Sequence, residues 1–129
     1  MSERDLAVIH RFHEAWTAGD LPAALELVDP DVVVHPLHGI LYSRMEYHGH
    51  EGIKEWYREM TAPWDRYEAI VEDVRETPDG VMGTLRLVGY RDGQPFHARV
   101  GAVFGLRDGR IVSMTARNVG DVEAEMRAL

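Results

Sequence analysis

Histidine is the residue type in this chain best suited to proton chemistry near neutral pH. Four of the seven, His35, His38, His48 and His50, fall within residues 35–50. An imidazole can take or give a proton without extreme tuning of its pKa. His35 is the strongest catalytic candidate, because it ends the β-branched run Val32-Val33-Val34 and is followed by Pro36. Its plainer alternative is an imidazole satisfied by a backbone carbonyl or water. Asn118, the only asparagine, follows the last strand-like run and shares the alternation of Met114 and Ala116. Its amide could donate to a carbonyl or orient a water, or simply serve backbone groups at the strand end. The histidine cluster, with Glu46 and Glu51 nearby, invites a metal reading. No recognised spacing such as His-Glu-x-x-His occurs, so neither a metal nor any other cofactor is expected.

Other chemistries lack their residues. The 129-residue chain has no cysteine, which removes disulfides, thiolate metal sites and thiol nucleophiles together. Lys54 is the single lysine, hence the one candidate for a Schiff base. None of the three serines sits in a Gly-x-Ser-x-Gly elbow, and no phosphate-cradling glycine loop precedes a helix. Fourteen basic against 22 acidic side chains give a net charge of −8. With no basic run, nucleic acid and anionic membranes are not the expected partners. The charged start, Met1 to Asp5, leads into no long apolar stretch, so a cytoplasmic, single-domain protein over residues 1–129 is expected.

The elements that must position these groups can be read from periodicity. Leu6, Ile9, Phe12 and Trp16, widened by Val8 and Ala15, form the apolar stripe of a first helix ending at Gly19. His10 and His13 flank that stripe as boundary residues, His13 being the one able to approach the interior. Asp20 caps a short second helix with Pro22 in its first turn, and Asp29-Pro30-Asp31 is expected to stop it. Val32–Val34 form a short strand. Ile53, Trp56, Tyr57 and Met60 mark a third helix that ends near Pro63. Tyr42, Arg44, Glu46 and Tyr47 lie on the segment between, where a lid or a plain surface loop would stand. From Tyr67 the period changes to two. Four strand-like runs, 67–76, 81–91, 96–106 and 110–118, are joined at Thr77-Pro-Asp-Gly, Asp92-Gly93 and Arg107-Asp-Gly. Asp-Gly between alternating runs is a strong hairpin signal, so an antiparallel meander follows the helices. Val122, Met126 and Leu129 suggest a frayed terminal helix.

Four segments carry a family resemblance. They are Ala18-Gly-Asp-Leu with Ala24-Leu25, Asp29-Pro-Asp-Val-Val, Tyr47-His-Gly-His-Glu-Gly-Ile and Asp108-Gly-Arg-Ile-Val-Ser-Met. In this order the chain resembles the nuclear transport factor 2-like superfamily, in its SnoaL-like branch. The resemblance implies an α+β fold: a cone-shaped, curved antiparallel β-sheet with about three N-terminal helices covering its concave face. That superfamily holds isomerases, cyclases, dehydratases, epoxide hydrolases and non-catalytic binders, so fold does not set the reaction. The ketosteroid isomerase pattern is not retained. Phe12 stands at its oxyanion tyrosine, His35 at its general base and Ala102 at its protonated aspartate. Nor does the Asp–Arg–Asp set of the epoxide hydrolases have an inward counterpart.

The same comparison implies an apolar pocket. Phe12, Trp16 and Trp56 would line it from the helices; Leu85, Leu87, Ala98, Val100, Ala102, Met114 and Ala116 would do so from alternate strand positions. These residues could equally be filling a core. The expected function is a cofactor-independent small-molecule enzyme of isomerase, cyclase, dehydratase or hydrolase type, acting on an apolar or cyclic substrate. The alternative is a non-catalytic binding domain for a hydrophobic molecule, or a dimeric assembly domain. Arg86, Arg99 and Arg117 alternate opposite to the pocket set, with Val88, Tyr90, His97, Val103 and Thr115. Val88, Tyr90 and Val103 would form a wet apolar patch on that outer face, and a homodimer through it is expected.

Overall fold

A computed structural model describes residues 2–36 and 45–129. It begins with α1 (Ser2–Ala18), α2 (Leu21–Glu26), β1 (Val28–His35), β2 (Tyr47–His48) and α3 (Gly49–Thr61). Four longer strands follow, β3 (Arg66–Thr77), β4 (Gly80–Arg91), β5 (Gln94–Arg107) and β6 (Arg110–Arg117), and then α4 (Val119–Arg127). His38, Tyr42 and Arg44 lie outside the described residues. Among the described residues no helix is long and apolar enough to cross a membrane.

The helices form where the apolar spacing places them. Val8, Ile9, Phe12 and Trp16 are buried along one side of α1. Asp20 caps α2, its side chain accepting the Ala23 N–H, with Pro22 in the first turn where its missing N–H costs nothing. The expected stop at Asp29-Pro30-Asp31 comes earlier. The helix ends at Glu26, and β1 begins at Val28 and runs through Pro30. Proline is tolerated there because the pairing shifts register between Val28 and Val33. Asp29 Oδ1 also accepts the Asp31 N–H at 2.9 Å.

The hairpins follow the Asp-Gly signals. Asp92 and Gly93, and again Asp108 and Gly109, have positive φ at both central turn positions, the geometry that matches the twist of the paired strands. The six strands lie in the order β2-β1-β6-β5-β4-β3 in one curved, unclosed sheet. All neighbours are antiparallel except β1 and β6, which run parallel. Register shifts at Val71/Asp73 and at Gly105/Leu106 mark bulges, the device by which a strand bends. α1, α2 and α3 cover the concave side. Phe12, Ile9, Val32, Val34, Tyr47, Ile53, Val81, Phe104 and Ile111 make the packed part of the core.

The outer face is not the wet patch expected from the sequence. Val122 and Met126 of α4 pack on Met82 and Val103, so the terminal helix is docked there. Gly101 makes room for it, since a Cβ at that position would strike the Val122 side chain. Val88 is 2% exposed. The Arg66 guanidinium lies 4.1 Å from the centre of the Tyr90 ring, whose hydroxyl donates to Glu68. Arg99 donates to Glu72 and to Glu123 of α4, and Arg117 pairs with Glu125. Exposed ion pairs of this kind add little stability, but they cover the apolar side chains beneath them. Within one chain, Val88 is buried while Tyr90 and Val103 stay half-buried on this face.

Candidate functional site

The concave side retains an unfilled space of about 120 Å³ between the helices and β4, β5 and β6. Phe12, Trp16 and Trp56 border it from the helices, and Leu85, Leu87, Ala98, Val100, Ala102, Met114 and Ala116 from the strands. Pairing explains why these residues meet. Leu85 faces Val100, Leu87 faces Ala98, and Ala102 faces Ala116, so one parity of each strand turns inward together. Phe104 paired with Met114 walls the space with large side chains, while Ala102 paired with Ala116 walls it with small ones. A cavity of this volume is comparable to apolar cavities that admit a single aromatic ring. A second space of about 180 Å³ adjoins it and shares Met60, Tyr67, Leu87 and Ala98 as a common wall. Trp64 and Phe96 line it with tilted rings, centroids 5.4 Å apart.

Of the two catalytic candidates from the sequence, His35 is among the residues that line this space and Asn118 is not. His35 borders the cavity at the end of β1, but its parity is the outward one. Val34, buried, pairs with Met114 and Tyr47, while His35 pairs with Thr115 of the outer set. The imidazole is 43% exposed, and its Nδ1 lies 3.6 Å from Glu46 Oε2. The other Glu46 oxygen meets His48 Nε2 at 3.0 Å. His35, Glu46 and His48 thus form a chain on the outer edge of the sheet. His50 turns instead to the Val28 carbonyl, 2.9 Å away. Among the described residues no three such groups are gathered for a metal. Asn118 lies one residue past the end of β6, is exposed, and caps α4 by accepting the Asp121 N–H at 3.2 Å. Its side chain serves the helix and lies outside the cavity lining. The backbone reading of Asn118 is the one the geometry supports.

A second imidazole on the cavity wall, and the buried one, is His13. It is 6% exposed, despite its expected place at the boundary of α1. Nδ1 lies 2.9 Å from the Ile9 carbonyl oxygen, which can only accept, so the Nδ1–H donates. The ring stands edge-on to Phe12 and to Phe104, with centroids 5.1 and 5.7 Å away. Burial pushes its pKa down to about 4, helped by the charge of His10 and opposed by the Ile9 hydrogen bond. At neutral pH it is uncharged, with its proton on Nδ1 and a lone pair on Nε2. One signal in the sequence could have found it. His13 is four residues after Ile9 and three before Trp16, which is core spacing in a helix. The Trp56 indole N–H is also buried and has no hydrogen-bond partner among the described residues.

Comparison with known proteins fits this geometry. The chain superposes on Bal32a, from a soil-derived mobile gene cassette, with a TM-score of 0.79 and 22% identity, covering 95% of this chain and 94% of that one. TerC, co-crystallised with polyporic acid, gives 0.79 and 17% identity over 98% and 99%. IdmH, a candidate polyketide cyclase from Streptomyces antibioticus, gives 0.74 and 24% identity over 97% and 99%. These likenesses show a shared fold. A search of curated proteins finds no match. Residues 9–114 match the model of the SnoaL-like domain. With most of its length matched, and with the curved sheet and helical cover in place, this chain belongs to the SnoaL-like domain family.

Proposed function

We propose that this chain is a cofactor-independent small-molecule enzyme of the isomerase, cyclase, dehydratase or hydrolase type, acting on an apolar, ring-bearing substrate held in the cavity. One observation carries the reading: inward alanines on neighbouring strands leave a ring-sized space beneath three aromatic side chains, Phe12, Trp16 and Trp56. A helix-covered sheet that needed only stability would fill that space, since an unfilled apolar cavity costs on the order of 20 cal/mol per Å³. The polyporic acid bound to TerC, a ring compound, is consistent with the same use of the fold. A homodimer through the outer face of the sheet is part of the same reading, and sedimentation of the purified protein measures it.

A second reading, a binding domain without chemistry, is favoured by the placement of His35. Its ring is 43% exposed beside Glu46 where it borders the cavity, whereas the buried imidazole on the wall is His13. Native mass spectrometry with a panel of phenols, cyclic enones and quinones separates the outcomes. Retention of a ring compound that is lost in Ala102→Leu supports the cavity, and a change in the retained compound's mass or isomer composition supports catalysis. Retention unchanged in Ala102→Leu, or no retention at all, overturns the proposal.

A further inference from the structure

The cavity wall is apolar except at a few points, and His13 differs from the others in how it is fixed. The ring cannot rotate freely, because its Nδ1–H is committed to Ile9 O and its edges meet Phe12 and Phe104. Nε2 lies across the ring from that bond, and among the described residues the ring's one hydrogen bond is the one at Nδ1. His13 lines the cavity, so an acceptor at Nε2 can be met there by a donor on an entering molecule. A neutral imidazole in this tautomer can accept but cannot donate through Nε2. It therefore favours a ligand carrying an O–H or N–H over an isosteric ligand that offers only an acceptor. The second would leave two lone pairs facing each other.

Resting on the cavity reading above, we infer that His13 is a specificity-determining residue whose Nε2 accepts a hydrogen bond from the hydroxyl of a neutral phenol-like or enol-like ring compound. Charge complementarity plays no part, because the imidazole is uncharged at neutral pH. An ionised phenolate is not accepted at Nε2 by the same argument, because it has no proton to give. The ligand class is thus a neutral, ring-bearing hydroxyl compound. A net hydrogen bond of about 1 kcal/mol corresponds to about fivefold in affinity, and a lost partner for a buried group adds to it.

Three probes of similar size test this: phenol, anisole and toluene. Binding is followed by tryptophan fluorescence, since Trp16 and Trp56 border the cavity. The expected result is that phenol binds the wild-type protein at pH 7 about five- to tenfold tighter than anisole, and that this preference disappears in His13→Phe while toluene still binds. Nitrogen-15 NMR of the wild-type protein supplies a readout that a merely structural histidine would not move. The His13 Nε2 resonance should shift with phenol and stay in place with toluene, and this measurement decides the matter should His13→Phe not fold. Equal binding of phenol and anisole, a preference that survives His13→Phe, or an unmoved Nε2 with phenol bound overturns the role of His13 and leaves the cavity standing. Failure of all three probes to bind overturns the cavity reading, and the inference with it.

Discussion

Lowering the pH from 7 to 5 should remove about 2 kcal/mol of stability through one side chain, His13. In the unfolded chain this histidine has an ordinary pKa of 6.5, while burial in the folded protein pushes it down to about 4. Between those values the unfolded state takes up a proton that the folded state refuses. The sign follows directly. Above pH 6.5 both states are neutral and nothing is lost; as the pH falls through 6.5, protonation favours unfolding, and the loss levels off below pH 4. At about 1.4 kcal/mol per pH unit, the 1.5 units from 6.5 to 5 amount to about 2 kcal/mol, and the full interval to just over 3. The groups around the ring are Ile9 O, the Phe12 and Phe104 rings and His10, and none of them is an anion that would hold the charged form. Urea unfolding of the wild type and of His13→Phe at pH 7 and pH 5 isolates the effect. Carboxylates such as Glu72, held below its usual range by Arg99, titrate in both proteins and cancel. The wild type should lose about 2 kcal/mol more than the variant. Equal losses would mean that the folded protein tolerates a charged His13, and the argument for a neutral acceptor in the cavity would fail.

Other substitutions separate structural from functional roles. Asn118→Ala should cost about 1 kcal/mol through loss of the α4 cap, seen in urea unfolding, with phenol affinity unchanged. A fall in affinity would return Asn118 to the site. His35→Ala should leave phenol and toluene affinity within about twofold, because its ring stands on the outer edge with Glu46; a drop above about tenfold would show that the ring turns inward when a ligand is bound. Gly101→Ala should destabilise the protein by about 1–3 kcal/mol, since the new methyl meets Val122, and hydrogen exchange should show α4 opening before the sheet. Ala102→Leu should abolish toluene binding while changing stability by less than about 1.5 kcal/mol, because the added volume enters existing space.

What was legible in the sequence divides along one physical line: features set by near neighbours could be read, and features set by distant pairing could not. The hairpins belong to the first group. Asp92-Gly93 and Asp108-Gly109 specify their turns locally, and the turns then set the registers of β4 with β5 and β5 with β6. Once those registers stand, period two places Leu85, Val100, Ala102 and Ala116 on one face without further information. His35 belongs to the second group. Whether it points in or out depends on which of Val32, Val33 and Val34 turns inward, and three equivalent valines carry no such mark. Parallel pairing with β6 decides it, by setting Val34 against Met114 and so His35 against Thr115. Asn118 fails at a boundary. One more residue of strand would have kept it in step with Met114 and Ala116, but β6 ends at Arg117 and the amide becomes a cap. His13 lies between these cases. Its polar type set it at the margin of the stripe, while its helical spacing made it the histidine able to approach the interior, where it is buried. A neutral imidazole whose one proton is already bonded to its own helix costs little to bury, and position outweighs type in such a case. Inside an apolar stripe, a histidine four residues after a buried Ile should be assigned to the interior first and its free nitrogen considered second.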